Sequence, residues 1–104
     1  FGVSEHVATV LLAAREAGVD ARGAVNLRYD PATVEALAAD RPTVEFDAER
    51  PTREAVADAV AGAGLPADAE TLVVYQTGAV GVEPIIYVLA PTAADAARVV
   101  RGLL

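Results

Sequence analysis

The sequence predicts an α/β domain, a three-layer α/β/α sandwich around a central mixed sheet. Three observations carry this expectation. Segments of helical and strand periodicity alternate in the order α-β-α-β-α-β-β-α, and such alternation buries a sheet between helices. The run Leu72-Val73-Val74-Tyr75 is apolar almost without a break, as a central strand covered on both faces must be. The apolar share of 54% is drawn from Val, Leu, Ile and Ala, with three Tyr, two Phe and no Trp, so helices must pack closely on the sheet. At 104 residues the chain suits one domain, residues 1–104, with one modest core.

Each element has its own signal. Ser4 is placed to cap a first helix, whose Val7, Val10, Leu11 and Ala14 fall at helical spacing and which Gly18 ends. Residues 24–29 alternate as a strand. Asp30-Pro31 stops it, and Pro31 suits the first turn of a helix from about Ala32 to Ala39, with Val34, Leu37 and Ala38 on one face. Residues 43–46 read as a short second strand. Thr52 is placed to cap a third helix that turns Ala55, Val56, Ala59 and Val60 inward and ends at Gly62 or Gly64. Residues 65–69 form a loop, and strands follow at 72–75 and 85–89. Pro91-Thr92 opens a last helix.

Charge narrows the partners. Fifteen carboxylates face eight arginines and no lysine, a net charge of −7. Such a surface repels phosphate backbones and speaks against direct contact with nucleic acid. An acidic, lysine-free, alanine-rich chain fits a GC-rich, salt-loving organism, in which the charge serves solubility. No apolar run approaches the roughly 18 residues of a membrane span, and a cytoplasmic domain is expected. The chain opens on Phe1 without Met and reads as a fragment of a longer protein. The absence of cysteine excludes disulfides and thiolate metal sites.

Three polar segments could carry chemistry. His6, the only histidine, falls in the first turn of the first helix, where free backbone N–H groups favour anions. With Ser4 it could hold a phosphate or move a proton; equally it could be a surface residue beside Glu5. One histidine with scattered carboxylates gives no metal-ligand spacing. Asn26 and Arg28 are two apart on a strand and share a face. Arg28 offers a planar fork for phosphate or carboxylate, or it could pair with Asp47 or Glu45. Gly78 and Gly81 permit positive φ and converging N–H groups around a ligand, or simply a hairpin. Glu83, before Pro84, could receive an amine or hydroxyl or stay solvated. The turn is no Walker loop, lacking the lysine and the following helix, and no serine, cysteine or lysine nucleophile motif is present.

Together these segments resemble the ThiN family, the archaeal-type thiamine-phosphate synthase domain. Phe1, Gly2, Ser4 and His6 match a Phe-Gly-x-Ser-x-His start. Asn26, Leu27, Arg28 and Tyr29 match the family strand, and Gly78, Gly81, Glu83 and Pro84 match a Gly-x-x-Gly-x-Glu-Pro turn. The resemblance implies a thiamine-phosphate-shaped pocket built by Ser4, His6, Asn26, Arg28, Gly78, Gly81 and Glu83. Catalytic family members join hydroxymethylpyrimidine diphosphate to thiazole phosphate, commonly as the C-terminal part of a fusion with a pyrimidine kinase. Others follow a DNA-binding helix-turn-helix as thiamine-responsive repressors.

The departures point to the second group. Catalytic members carry a Gly-Ser-Thr-Met-x-Trp-Gly-like segment before the third helix, where this chain has Glu49-Arg50-Pro51-Thr52-Arg53-Glu54. Their last loop has Asp-Arg-Gly and a lysine, where this chain has Gln76-Thr77-Gly78 and Val82. A lysine would neutralise a departing diphosphate, and Val82 does not. The expectation is a sensor of thiamine phosphate or a related intermediate, with no cofactor, a homodimer as one possible assembly, and DNA contacted only through a separate N-terminal domain. The alternative is the synthase, metal-assisted or not, with His6 catalytic and Mg the possible metal.

Overall fold

The computed structural model describes residues 2–66 and 69–103, with residues 2–5 described by backbone alone. The elements run α1 (Gly2–Glu16), β1 (Gly23–Arg28), α2 (Pro31–Ala38), β2 (Thr43–Glu45), α3 (Thr52–Gly62), β3 (Leu72–Gln76), β4 (Ile85–Ala90) and α4 (Ala93–Arg101). This is the order read from the sequence. The strands form one mixed sheet in the order β1-β4-β3-β2. β4 lies antiparallel to both β1 and β3, while β2 and β3 are parallel. A parallel pair needs a crossover, and α3 supplies it.

Side-chain alternation divides the sheet into two faces. Val44, Phe46, Leu72, Val74, Tyr87 and Leu89 meet Val10, Ala13 and Ala14 of α1 and Val56 and Val60 of α3. Val73, Ile86, Val88 and Ala90 meet Leu37 of α2 and Ala96 of α4. Three layers result, as composition requires: alanine on α1 lets the helix approach the sheet. Gly23 takes the closest approach, since a Cβ there would stand 2.0 Å from the Ala93 amide nitrogen at the start of α4. Arg53 of α3 pairs with Glu16 of α1 and ties the two helices together.

The helix starts differ from the sequence reading. α1 has begun by Gly2, so Ser4 stands inside the first turn and does not cap it. Thr52 is the first residue of α3, because Pro51 (φ −54°, ψ 131°) already turns the chain; no side chain caps this helix. Asp30 caps α2 instead, accepting from the Ala32 N–H at 2.8 Å, with Pro31 next to it. Thr92 caps α4, accepting from the Asp95 N–H at 3.1 Å. On α2 only Val34 and Leu37 face the sheet; Ala38, the last helical residue, is exposed. Among the described residues no helix is long and apolar enough to cross a membrane.

Candidate functional site

A cleft of about 670 Å³ opens on the α1/α3 face, where β2 and β3 end and β4 begins. Register explains its floor. Gln76 lies opposite Ile85, and Val74 opposite Tyr87, so Gln76, Ile85 and Tyr87 share the face that carries Phe46. Phe46 and Tyr87 meet with ring centroids 6.5 Å apart and planes tilted by 34°. The walls are His6 from α1, Ala48, Arg50, Pro51 and Thr52 from the approach to α3, and Gly81, Val82 and Glu83 from the β3–β4 loop. A second hollow of about 540 Å³ shares Phe46 and Ala48 with the cleft and is bordered by Glu45, Asp47, Glu49, Thr77, Gly78 and Ala79.

The electrostatics of the cleft are mild. The start of α3 borders it, and the first N–H groups of a helix lack intrahelical acceptors and favour anions. Arg50 is engaged by Asp58 at 2.6 Å, and this hydrogen bond raises the guanidinium pKa still further. Its charge is therefore largely compensated. Burial raises the Tyr87 phenol above its ordinary value, so it stays neutral on the cleft floor. Gln76 is 4% exposed; its Nε2 donates to the Glu83 carbonyl and its Oε1 accepts from the Gly78 N–H, each at 2.6 Å.

The residues between Gln76 and Ile85 connect an antiparallel pair, so the glycine turn is a hairpin loop as well as a cleft wall. Its tip is closed by reciprocal bonds between Ala79 and Val82, with Gly81 at φ +75°. Gly78 (φ +94°) packs against Pro84 and the Val82 carbonyl, each 3.2 Å from where a Cβ would stand.

Of the residues picked from sequence, His6, Gly81 and Glu83 line the cleft, and Gly78 borders the neighbouring hollow. Asn26 and Arg28 share the cleft's sheet face, opposite Tyr87 and Ile85, but stand beyond its walls on edge strand β1. Arg28 is exposed and has no ion-pair partner among the described residues. Pairing with Glu45 or Asp47 is ruled out by topology, because β1 and β2 form opposite edges of the sheet. The side chain of Ser4 lies outside the described residues. Sequence reasoning missed Phe46, Arg50, Gln76 and Tyr87 as wall residues. The available signal was parity: Asn26 and Arg28 on β1 and Gln76 on β3 fall on the α1/α3 face where their strands end. Among the described residues no three histidine or carboxylate groups are arranged to hold a metal ion.

A family model described as thiamine-phosphate synthase ThiN matches residues 1–102. The chain belongs to the ThiN family. Two solved structures share the ThiN fold seen here. The C-terminal domain of protein MJ0236 superposes with a TM-score of 0.73 at 24% identity, over 100% of this chain and 62% of that one. The C-terminal domain of a phosphomethylpyrimidine kinase gives 0.75 at 19% identity, over 95% and 60%. At such identities the likeness is one of fold. The ThiN chain spans about three fifths of the length of these solved chains. No curated protein matches it significantly in sequence.

Proposed function

We propose that this ThiN domain binds thiamine monophosphate or a closely related intermediate in the cleft, as the ligand-sensing part of a thiamine-responsive transcriptional regulator. The observation that carries the reading is an apolar, aromatic floor beside the free first N–H groups of α3. Phe46, Ile85 and Tyr87 suit a planar ring. His6 and the start of α3 suit a phosphate, with Arg28, unpaired among the described residues, and Ser4 as proposed outer contacts. Asn26 and Glu83 would read the polar edges of the ligand.

Expelling diphosphate from a pyrimidine concentrates negative charge, and catalysing that step requires fixed positive charge around it. Here Arg50 is compensated by Asp58, and Val82 stands on the wall where the family's catalytic loop has lysine. Such a cleft holds a finished monophosphate better than it makes one. The net charge of −7 and absence of lysine speak against direct contact of this domain with DNA, which a separate N-terminal domain would make, and fit a cytoplasm rich in salt. The second reading is the synthase, favoured by His6 on the cleft wall.

Calorimetric titration with thiamine monophosphate in molar salt decides between them when paired with a turnover assay. The proposal expects micromolar binding and no product from hydroxymethylpyrimidine diphosphate and thiazole phosphate. Product formation that disappears in His6→Ala would establish the synthase instead, and absence of binding would remove the ligand class.

A further inference from the structure

Gln76 is the one polar residue buried among the described residues. It closes β3 opposite Ile85, the first residue of β4, and so stands at the neck of the hairpin loop. A buried amide must satisfy both its carbonyl and its N–H groups. Gln76 spends them on the two ends of the loop, accepting from the Gly78 N–H and donating to the Glu83 carbonyl, each at 2.6 Å. The same side chain lines the cleft beside Gly81, Val82 and Glu83.

We infer that Gln76 is a positioning residue: it clamps residues 77–84 as the fixed rim of the cleft and thereby sets ligand affinity. This rests on the reading of the cleft as a thiamine monophosphate site. The loop needs such a device. Beyond Gln76 it is braced by the Ala79–Val82 turn and the contact of Gly78 with Pro84, and its tip residue Val80 is fully exposed. A rim that had to be ordered on binding would lose that conformational entropy from the affinity. An amide fits this place where a carboxylate does not. A carboxylate would still accept from Gly78 but would face the Glu83 carbonyl acceptor to acceptor, and an ionised group this buried is costly. A neutral clamp also keeps negative charge away from a bound phosphate.

Two variants of the full-length protein test the role, Gln76→Ala and Gln76→Glu, each titrated with thiamine monophosphate and each followed by hydrogen exchange at the Gly78 amide. Gln76→Ala is expected to bind at least tenfold more weakly and to exchange the Gly78 amide faster. Gln76→Glu should bind weakly at neutral pH. It should then recover, relative to wild type at each pH, as acidification protonates the carboxyl and restores a donor to Glu83. A residue that merely filled space would show no such recovery. Wild-type affinity in Gln76→Glu at neutral pH, or Gly78 exchange unchanged in Gln76→Ala, would overturn the clamp while leaving the cleft reading intact. If the wild-type protein binds no thiamine monophosphate, the cleft reading fails and takes this role with it.

Discussion

The two faces of the sheet are made by the same four strands and end very differently. On the α2/α4 face the rows run Val73, Val88 and Ile86, closed over by Leu37 and Ala96, and finish in Tyr29 stacked on Tyr75 at 6.2 Å. On the α1/α3 face the rows run Leu72 and Val74 and finish in Gln76, Asn26 and Arg28, over which α1 and α3 do not close. A shift of one residue along each strand separates a sealed core from an open polar cleft, because alternate side chains point to opposite faces. The cleft lies where the apolar rows of the α1/α3 face give way to polar side chains that α1 and α3 leave uncovered.

The largest expected effect breaks the sealed face. Gly23→Ala would put a Cβ 2.0 Å from the Ala93 nitrogen and 2.2 Å from the Thr92 carbonyl carbon. Both atoms are backbone, so α4 must move off the sheet. A loss of more than about 4 kcal/mol is expected in a urea melt, at the upper end of what single substitutions cost. A loss under about 1 kcal/mol would mean that α4 contributes little to the closed face.

Next comes a matched pair that separates stability from binding. Leu37 is fully buried under α2, and Leu37→Ala should cost about 3 kcal/mol in stability while thiamine monophosphate affinity stays within about twofold. Arg28 is exposed and unpaired among the described residues on the cleft face, and Arg28→Ala should leave the melt unchanged and weaken binding about tenfold, or about 1.4 kcal/mol. Unchanged affinity in Arg28→Ala would confine the site to the walls of the cleft and return Arg28 to an ordinary surface role.

The contrast also shows how much was legible in the sequence. Element order and the covered central strand were readable, because helix and strand periods differ and residues 72–75 leave no polar face. Helix starts were less so: a hydroxyl residue can cap a helix or sit inside its first turn, and at Thr52 the preceding Pro51 had already set the backbone. That His6, Gly81 and Glu83 should fall near one cleft was readable from residue type and family resemblance. Gln76 and Tyr87 were not, because their importance arises from the antiparallel register of β3 and β4, a long-range pairing with no local signature. Strand order likewise excludes the alternative in which Arg28 pairs with Glu45 or Asp47, since β1 and β2 are opposite edges of the sheet.

The smallest effect sharpens the comparison with one tyrosine from each face. Both Tyr87 on the cleft floor and Tyr75 on the sealed face have pKa values raised above 10.0. For Tyr87 the cause is burial; for Tyr75 burial comes first and the charge of Glu45, whose carboxylate accepts from the phenol at 3.4 Å, comes next. A folded-state value raised above the unfolded one means that the stabilisation is complete below pH 10 and is lost as pH rises through the folded value. Alkaline melts should therefore weaken above pH 10, and Tyr87→Phe should flatten that decline. Glu45→Gln should lower the titration of Tyr75 toward the ordinary range and leave Tyr87 unmoved, since only Tyr75 feels that carboxylate. Ultraviolet difference titration of the single variants separates the two phenols. A downward shift of both in Glu45→Gln would mean that the faces are electrostatically coupled through the sheet, and the independence argued from their side-chain rows would fail.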